Sequence, residues 1–438
     1  MQTVENTDIM GKKVADQLVE TICRAGIRRI YAVTGDSLNE VNDAVRRAGT
    51  VWWVHMRHEE SGAFAAAAEA ELNGIACCAG SSGPGHVHLI NGLYDAHRSN
   101  CSVLAIASTC PSDQFGTGYF QETDPIRLFD DCSGYNQMAV TPAQFARMLP
   151  AALQHAVHKR EVAVVGLPGD VAASPCAESP GASGPLPSHG IYRPLDGELR
   201  QLAEMIGSAE RITIFCGIGA REAHDEVVRL AAMLKAPVAY TFKAKMEVQY
   251  DNPYEIGMTG LLGLPSAYGA MHESDLLLLL GTDFPYDCFL PSECRIAQVD
   301  IRPERIGRRA RVELGLAGDV KDTLQALLPM LRERSDRTFL RPPAENLRRL
   351  VRRHDRRARG HGHEQSETPP RTGLTGAARL LFRRGGFVRP VGVENSVEMV
   401  CFVLEDYGRE SVDRLRFFGE PLVAVAQYDP LRPHHPAR

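Results

Sequence analysis

The sequence predicts an α/β protein with two parallel-sheet domains followed by an atypical tail. Three observations predict it. Strand-like runs alternate with helical patterns from residue 14 to residue 332, which favours helices layered on parallel sheets. Most of those runs are continuously apolar, as in strands buried on both faces. A stretch over 173–194, rich in Pro, Gly, Ser and Ala and without periodicity, divides the alternation in two.

In the first part a helix over 14–25 leads to a strand over 29–33. That strand ends at Gly35-Asp36-Ser37, where Asp36 or Ser37 is expected to cap the next helix. Further strands are expected over 51–54, 75–79, 103–108 and 162–166. The run closes at Leu167-Pro168-Gly169-Asp170. Between these strands lie Arg57-His58-Glu59-Glu60, a helix of small residues, and Gly80-Ser81-Ser82-Gly83-Pro84-Gly85 with a second helix through Asn91. The second part has strands expected over 212–216, 237–241, 275–280, 295–301 and 314–317. Helices are expected over 221–234 and 320–332. Beyond them, 341–359 is dense in arginine, 361–371 is polar, and 372–438 shows no clean alternation.

At 438 residues the chain is long enough for two or three domains. Its 44% hydrophobic and 24% charged residues are ordinary for a globular protein. A net charge of −5 gives no general pull toward nucleic acid or anionic membrane, so neither partner is expected. No apolar run is long enough to span a bilayer, and the polar, acid-bearing first residues do not read as a secretory signal. The 11 cysteines include no CxxC pair. Reduced thiols in a cytoplasmic protein are expected.

Glu59 opens a helix after a strand, and two readings stand side by side. An acid in a first turn is favoured by the helix dipole alone. An acid held in a largely apolar cleft can instead share a proton with a ligand. His55, His58 and Glu59 suggest zinc by composition, but their order is neither HExxH nor HxxEH, and no metal site is expected. The glycine-rich loop can present backbone N–H groups to an anion, yet it is neither a Walker A loop nor GxGxxG. His86, His88 and His97 fall on one expected helix without an acid array, so a surface or core role is expected. Gly217-Ile218-Gly219, Thr259-Gly260-Leu261-Leu262 and Gly281-Thr282-Asp283-Phe284-Pro285-Tyr286 follow strands or lie between them, and Asp300 ends a strand. Loops at strand C-termini are where open α/β sheets bind ligands, which points to a nucleotide-type ligand. The competing reading is that glycines simply end strands. Arg348, Arg349, Arg352, Arg353, Arg356 and Arg357 repeat at helical spacing and read as a solvated face.

Taken in order, Thr34-Gly35-Asp36-Ser37-Leu38-Asn39, Arg57-His58-Glu59-Glu60, Gly80 to Gly85, Asn91-Gly92-Leu93, Gly118-Tyr119-Phe120-Gln121-Glu122 and Leu167-Pro168-Gly169-Asp170 resemble the thiamine-diphosphate enzymes of the pyruvate oxidase and quinone-dependent pyruvate dehydrogenase type. Gly257-Met258-Thr259-Gly260-Leu261 and Thr282 to Tyr286 resemble that family's central FAD domain. The resemblance covers about 14–332. It implies two Rossmann-like domains: a pyrimidine-binding domain over 10–175 and, after a linker over 176–194, an FAD-type domain over 195–335. The tail is 336–438.

The resemblance implies that Glu59 bonds a ring nitrogen of the thiamine diphosphate aminopyrimidine. It places Gly35, Pro84 and Asn91 beside the cofactor and Phe120 and Gln121 on the substrate side. Thr259, Gly260, Leu261, Leu262, Thr282, Asp283, Phe284, Pro285, Tyr286 and Asp300 match FAD-contacting loops. The implied reaction is oxidative decarboxylation of pyruvate to acetate or acetyl phosphate and CO2, with electrons passing to quinone or oxygen. The implied assembly is a homo-oligomer, dimer or tetramer, or a mixed oligomer. Family members hold the diphosphate through Mg2+ on a third domain with a Gly-Asp-Gly motif, and no Gly-Asp-Gly occurs in this sequence. The expectation is therefore a truncated product, read out of frame after about Gly360. The alternative reading is a catalytically incomplete homologue that at most binds flavin or a nucleotide.

Overall fold

The computed structural model describes residues 11–178, 185, 190–341 and 343–349. The chain divides into two units, 1–189 and 190–438, each with its own sheet.

The sheet of the first unit has six strands: β1 (Arg29–Ala32), β2 (Trp52–His55), β3 (Ala76–Gly80), β4 (Val103–Thr109), β5 (Tyr135–Met138) and β6 (Val162–Pro168). Their order is β2-β1-β3-β4-β6-β5, and every pair is parallel. Strands β3, β4 and β6 are buried along their whole length, as their apolar sequences require. Alternate residues feed two cores, one on each face: Cys77, Leu104 and Val165 on one, Cys78, Ala105 and Val164 on the other. The paired cysteines thus serve as small core hydrophobes. Burial pushes the Cys78 thiol up to about 12.

The second sheet contains β7 (Ile212–Cys216), β8 (Val238–Tyr240), β9 (Glu255–Met258), β10 (Leu276–Leu280), β11 (Arg295–Asp300) and β12 (Leu314–Ala317). It is also wholly parallel, in the order β12-β11-β10-β7-β8-β9. In the first sheet the strand order reverses at the β6–β5 edge and between β1 and β3; in the second it reverses once, between β7 and β10. Loops leaving those strand ends diverge and open a crevice.

Several expectations change. Strand β2 is not buried on both faces, because it is an edge strand with Trp52 exposed. Strands β5 and β9 are additional. Both are edges, so their sequences, Tyr-Asn-Gln-Met and Glu-Ile-Gly-Met, need no continuous apolar run. Neither Asp36 nor Ser37 caps a helix with its side chain. Residues Asp36–Leu38 form a 3-10 turn ahead of the helix Asn39–Ala48. The helix after the glycine-rich loop is broken into Pro84–Val87 and Ile90–Ser99, so His86, His88 and His97 do not share one helix. The helix expected over 320–332 is Val320–Leu327, followed by a 3-10 turn that contains Pro329. Arg348 and Arg349 are exposed on a helical segment; Arg352, Arg353, Arg356, Arg357 and the tail from 350 lie outside the described residues. No helix among the described residues is long and apolar enough to cross a membrane.

One packing feature positions the site. Helix Glu59–Asn73 buries Ala63, Ala66, Ala67 and Ala70. With only methyl groups there, helix Ile90–Ser99 approaches so closely that a Cβ on Gly92 would lie 2.5 Å from the Ala63 Cβ and 2.7 Å from the Phe64 nitrogen. Neither neighbour can give way without moving a helix. Gly92→Ala is therefore expected to destabilise the protein by about 1–3 kcal/mol, read as a lower urea midpoint at unchanged slope.

Candidate functional site

The first crevice is built by the loops after β1 and β3. Gly35 follows β1, and a Cβ there would collide with the Ser81 side chain. Ser37 ties the loops together: its Oγ accepts the Ser82 N–H at 2.9 Å and lies 2.9 Å from the Ser81 Oγ. The Ser108 hydroxyl, at the end of β4, donates to the Ser37 carbonyl at 2.8 Å. The glycine-rich loop doubles back so tightly that a Cβ on Gly80 would stand 2.5 Å from the His86 Cα. Gly83 has φ +61°, and a Cβ there would lie 2.7 Å from the Gln121 Cβ.

Glu59 opens its helix as expected, behind the N-cap His58, whose Nδ1 accepts the Glu60 N–H at 3.3 Å. It is only 8% exposed. Its Oε2 lies 3.0 Å from the His88 Nδ1, and a Cβ on Gly85 would come within 3.6 Å of its Oε1. Helix-dipole stabilisation explains an acid at a helix start but does not require its burial, which costs free energy unless partners or a ligand compensate. The dipole reading suits Glu60 instead, whose Oε1 accepts from the Asn91 amide at 3.1 Å. Pro84 starts the short helix at an exposed position, and Asn91 is exposed beside Glu60.

Phe120 and Gln121 sit on a loop with its own internal support. The Glu122 carboxylate accepts the N–H groups of Gly116, Gly118 and Tyr119 and folds the turn. Those bonds, the Gly116 amide foremost, hold its carboxyl below the ordinary range. Gln121 adopts φ +59°, its Oε1 accepts from the Ser82 hydroxyl at 3.1 Å, and Phe120 is 75% exposed.

Two further residues join the site that sequence reasoning assigned only to surface or core. His88 bonds Glu59. His86 is fully buried, with its Nδ1 2.8 Å from the Ser108 carbonyl and its Nε2 2.5 Å from the Thr123 hydroxyl. Burial depresses the His86 pKa, so the ring is neutral. It pins the glycine-rich loop to both β4 and the Phe120 loop. These partners lie 22 and 37 residues away, beyond any local pattern.

The second unit is a separate site. The loop from Thr259 to Gly263 lies against Phe284, where a Cβ on Gly260 (φ +109°) would stand 3.2 Å from the ring. Phe284 packs edge-on against Phe215 and Tyr286. The buried Thr259 Oγ1 has no hydrogen-bond partner among the described residues. Leu261 is exposed, Leu262 half-buried, Thr282 buried, and Pro285 and Tyr286 exposed. Asp283 is engaged by Arg308 at 3.2 Å and Arg309 at 3.6 Å. Asp300 is buried and accepts the Arg302 N–H at 2.9 Å; desolvation raises its pKa. The glycines at the strand reversal have a packing role: Gly219 donates to the Gly281 carbonyl at 2.9 Å, and Gly281 has φ +60°. That much matches the plain strand-ending reading. The orphaned Thr259 hydroxyl is what asks for a ligand.

Comparison with known proteins agrees with this geometry. The thiamine pyrophosphate enzyme N-terminal TPP binding domain matches residues 12–128, and the thiamine pyrophosphate enzyme central domain matches residues 199–327. An uncharacterised 42.6 kDa protein of Pseudomonas amyloderamosa is 51% identical over 330 residues, 75% of this chain and 83% of its own length. Pyruvate oxidase of Lactiplantibacillus plantarum is 30% identical over 76% of this chain and 56% of its own length. Chloroplastic acetolactate synthase of Arabidopsis thaliana is 29% identical over 74% of this chain and 50% of its own length. The chain thus spans about half the length of both named enzymes, and their near-equal identities do not single out the pyruvate oxidase branch. With both sheets and two domain matches in agreement, this chain belongs to the thiamine pyrophosphate enzyme family.

Proposed function

We propose that the first unit supplies the pyrimidine side of a thiamine diphosphate site, with Glu59 as its acid, in an enzyme that decarboxylates pyruvate oxidatively. The observation that carries this reading is the burial of Glu59 against the glycine turn, with His88 on one carboxylate oxygen. When bound, the cofactor supplies the electron sink for cleaving a 2-oxo acid. The protein supplies placement and proton control. Glu59 would hold the aminopyrimidine through a proton shared with a ring nitrogen, while His88 fixes the orientation of the carboxylate. Gly35, Pro84 and Asn91 would border the ring. Phe120 and Gln121 would face pyruvate, with Phe120 excluding water and Gln121 oriented by Ser82.

In the second unit, the orphaned Thr259 hydroxyl and the close Gly260–Phe284 approach support FAD as electron acceptor, passing electrons on to quinone or oxygen. The given sequence contains no Gly-Asp-Gly; in a mixed oligomer another polypeptide would hold Mg2+ and the diphosphate. The same observation favours a second reading, a flavin- or nucleotide-binding module without turnover. Cofactor content and pyruvate-dependent dye reduction, with and without added thiamine diphosphate and Mg2+, separate the two. Flavin with stimulated turnover supports the enzyme, flavin without turnover supports the module, and colourless protein counts against both. Acetolactate in place of acetate among the products overturns the oxidative assignment.

In an assembly that turns over pyruvate, Glu59→Gln is expected to lower the rate roughly 100-fold or more while flavin content stays unchanged. Unaltered turnover removes Glu59 from the mechanism. Glu122→Gln tests the loop that carries Gln121. Faster amide exchange is expected at Gly116, Gly118 and Tyr119, together with weaker pyruvate saturation. In the unsubstituted protein the protection is present above the ordinary carboxyl value of 4.5 and is lost as the pH falls through the depressed value.

A further inference from the structure

Around the candidate acid the fold assembles a donor set that sequence order does not reveal. His58 and Glu59 are adjacent at the helix start. His88 arrives from the turn between helices Pro84–Val87 and Ile90–Ser99. One ligand atom from each of the three lies within 4.8 Å of the others. The His88 Nδ1 and Glu59 Oε2 are 3.0 Å apart, close to the spacing of two ligands sharing one small cation. The two imidazoles stack with centroids 4.4 Å apart and planes at 26°. A hydrogen bond between His88 and Glu59 requires no second histidine; a metal centre would use it. Both rings are partly exposed, with 48% and 43% of the side chain accessible, which leaves an entry path and room for water as a further ligand. The Glu60 N–H contact to His58 is long at 3.3 Å, so that ring can turn toward an ion at little cost.

We propose that His58, Glu59 and His88 bind a divalent cation that prefers nitrogen donors, of the Zn2+ or Co2+ kind. Two imidazoles and one carboxylate with an open position select such ions over Mg2+, which prefers an all-oxygen shell. On binding, the Nδ1 proton of neutral His88 is exchanged through solvent for one on Nε2, and the freed Nδ1 and the Glu59 carboxylate both bond the ion. Given the thiamine reading above, the cation and the aminopyrimidine compete for one carboxylate, so the ion holds the site off.

The test uses the untagged full chain without added cofactor. Co2+ titration is expected to give a saturable ligand-field absorption band that Zn2+ removes and Mg2+ does not. H58Q and H88Q are each expected to weaken Co2+ binding by about tenfold or more, with thermal melting near that of the parent. His272→Gln, on the other unit, serves as a control for the remaining histidines and is expected to change nothing. Absence of the band, or a band that neither H58Q nor H88Q weakens, overturns the proposal. The H58Q and H88Q pair keeps the result independent of Glu59 should Glu59→Gln fail to fold. Uptake of thiamine, which carries the aminopyrimidine and needs no diphosphate site, is measured in parallel and keeps the two readings apart. Uptake without the Co2+ band overturns the metal site alone, and the band without uptake overturns the thiamine reading alone.

Discussion

The first unit depends on how closely its glycine-rich turn is packed. Residues 80–85 meet the β1 loop at Gly35 and Ser37, the candidate acid at Gly85, and the Phe120 loop at Gly83. A methyl group at Gly35, Gly80 or Gly83 would overlap, in turn, the Ser81 side chain, the backbone of Gly85 and His86, and Gln121. Glu59 is buried beside this turn, with the Gly85 position and His88 at its two carboxylate oxygens. A larger side chain on the turn would either expose the acid or fill the space.

The central strands were legible because both of their faces are buried. Leu276–Leu280 and Val162–Pro168 declare themselves by apolar continuity alone. The edges were not, since β5 and β9 pack on one side only and carry polar residues such as Asn136 and Glu255. The break in the helix after Pro84 was also hidden. No proline or glycine marks it, and it comes from the tertiary demand that His86 turn inward to Ser108 while His88 turns toward Glu59. Glu59, Phe120 and Gln121 could be named from motif order. The histidines that bond the acid and pin the loop could not, because each acts across a contact more than twenty residues away in the chain.

The two units solve one topological problem with different chemistry. Each parallel sheet reverses its strand order between two inner strands, β1 and β3 in one and β7 and β10 in the other, and each brings glycine loops to that point. In the first unit the crevice holds a buried acid and neutral imidazole. In the second it holds an aromatic cluster around Phe284, an arginine-bound Asp283 and an unpartnered hydroxyl on Thr259. The fold fixes only where a ligand can enter; the side chains at the strand ends decide which ligand that is.

His86 shows how the core sets the site. Its two ring nitrogens join a carbonyl at the end of β4 to the hydroxyl of Thr123, two residues after Gln121. One atom is backbone of a fully buried strand, and the other belongs to an otherwise exposed loop. A residue with a single polar group could satisfy one of them but not both at this separation. Burial favours the neutral ring, which donates from Nδ1 to the Ser108 carbonyl and accepts the Thr123 O–H on Nε2. The position of the loop facing the substrate side is thereby referred to the most rigid part of the sheet, and the glycine turn that carries His86 moves with it.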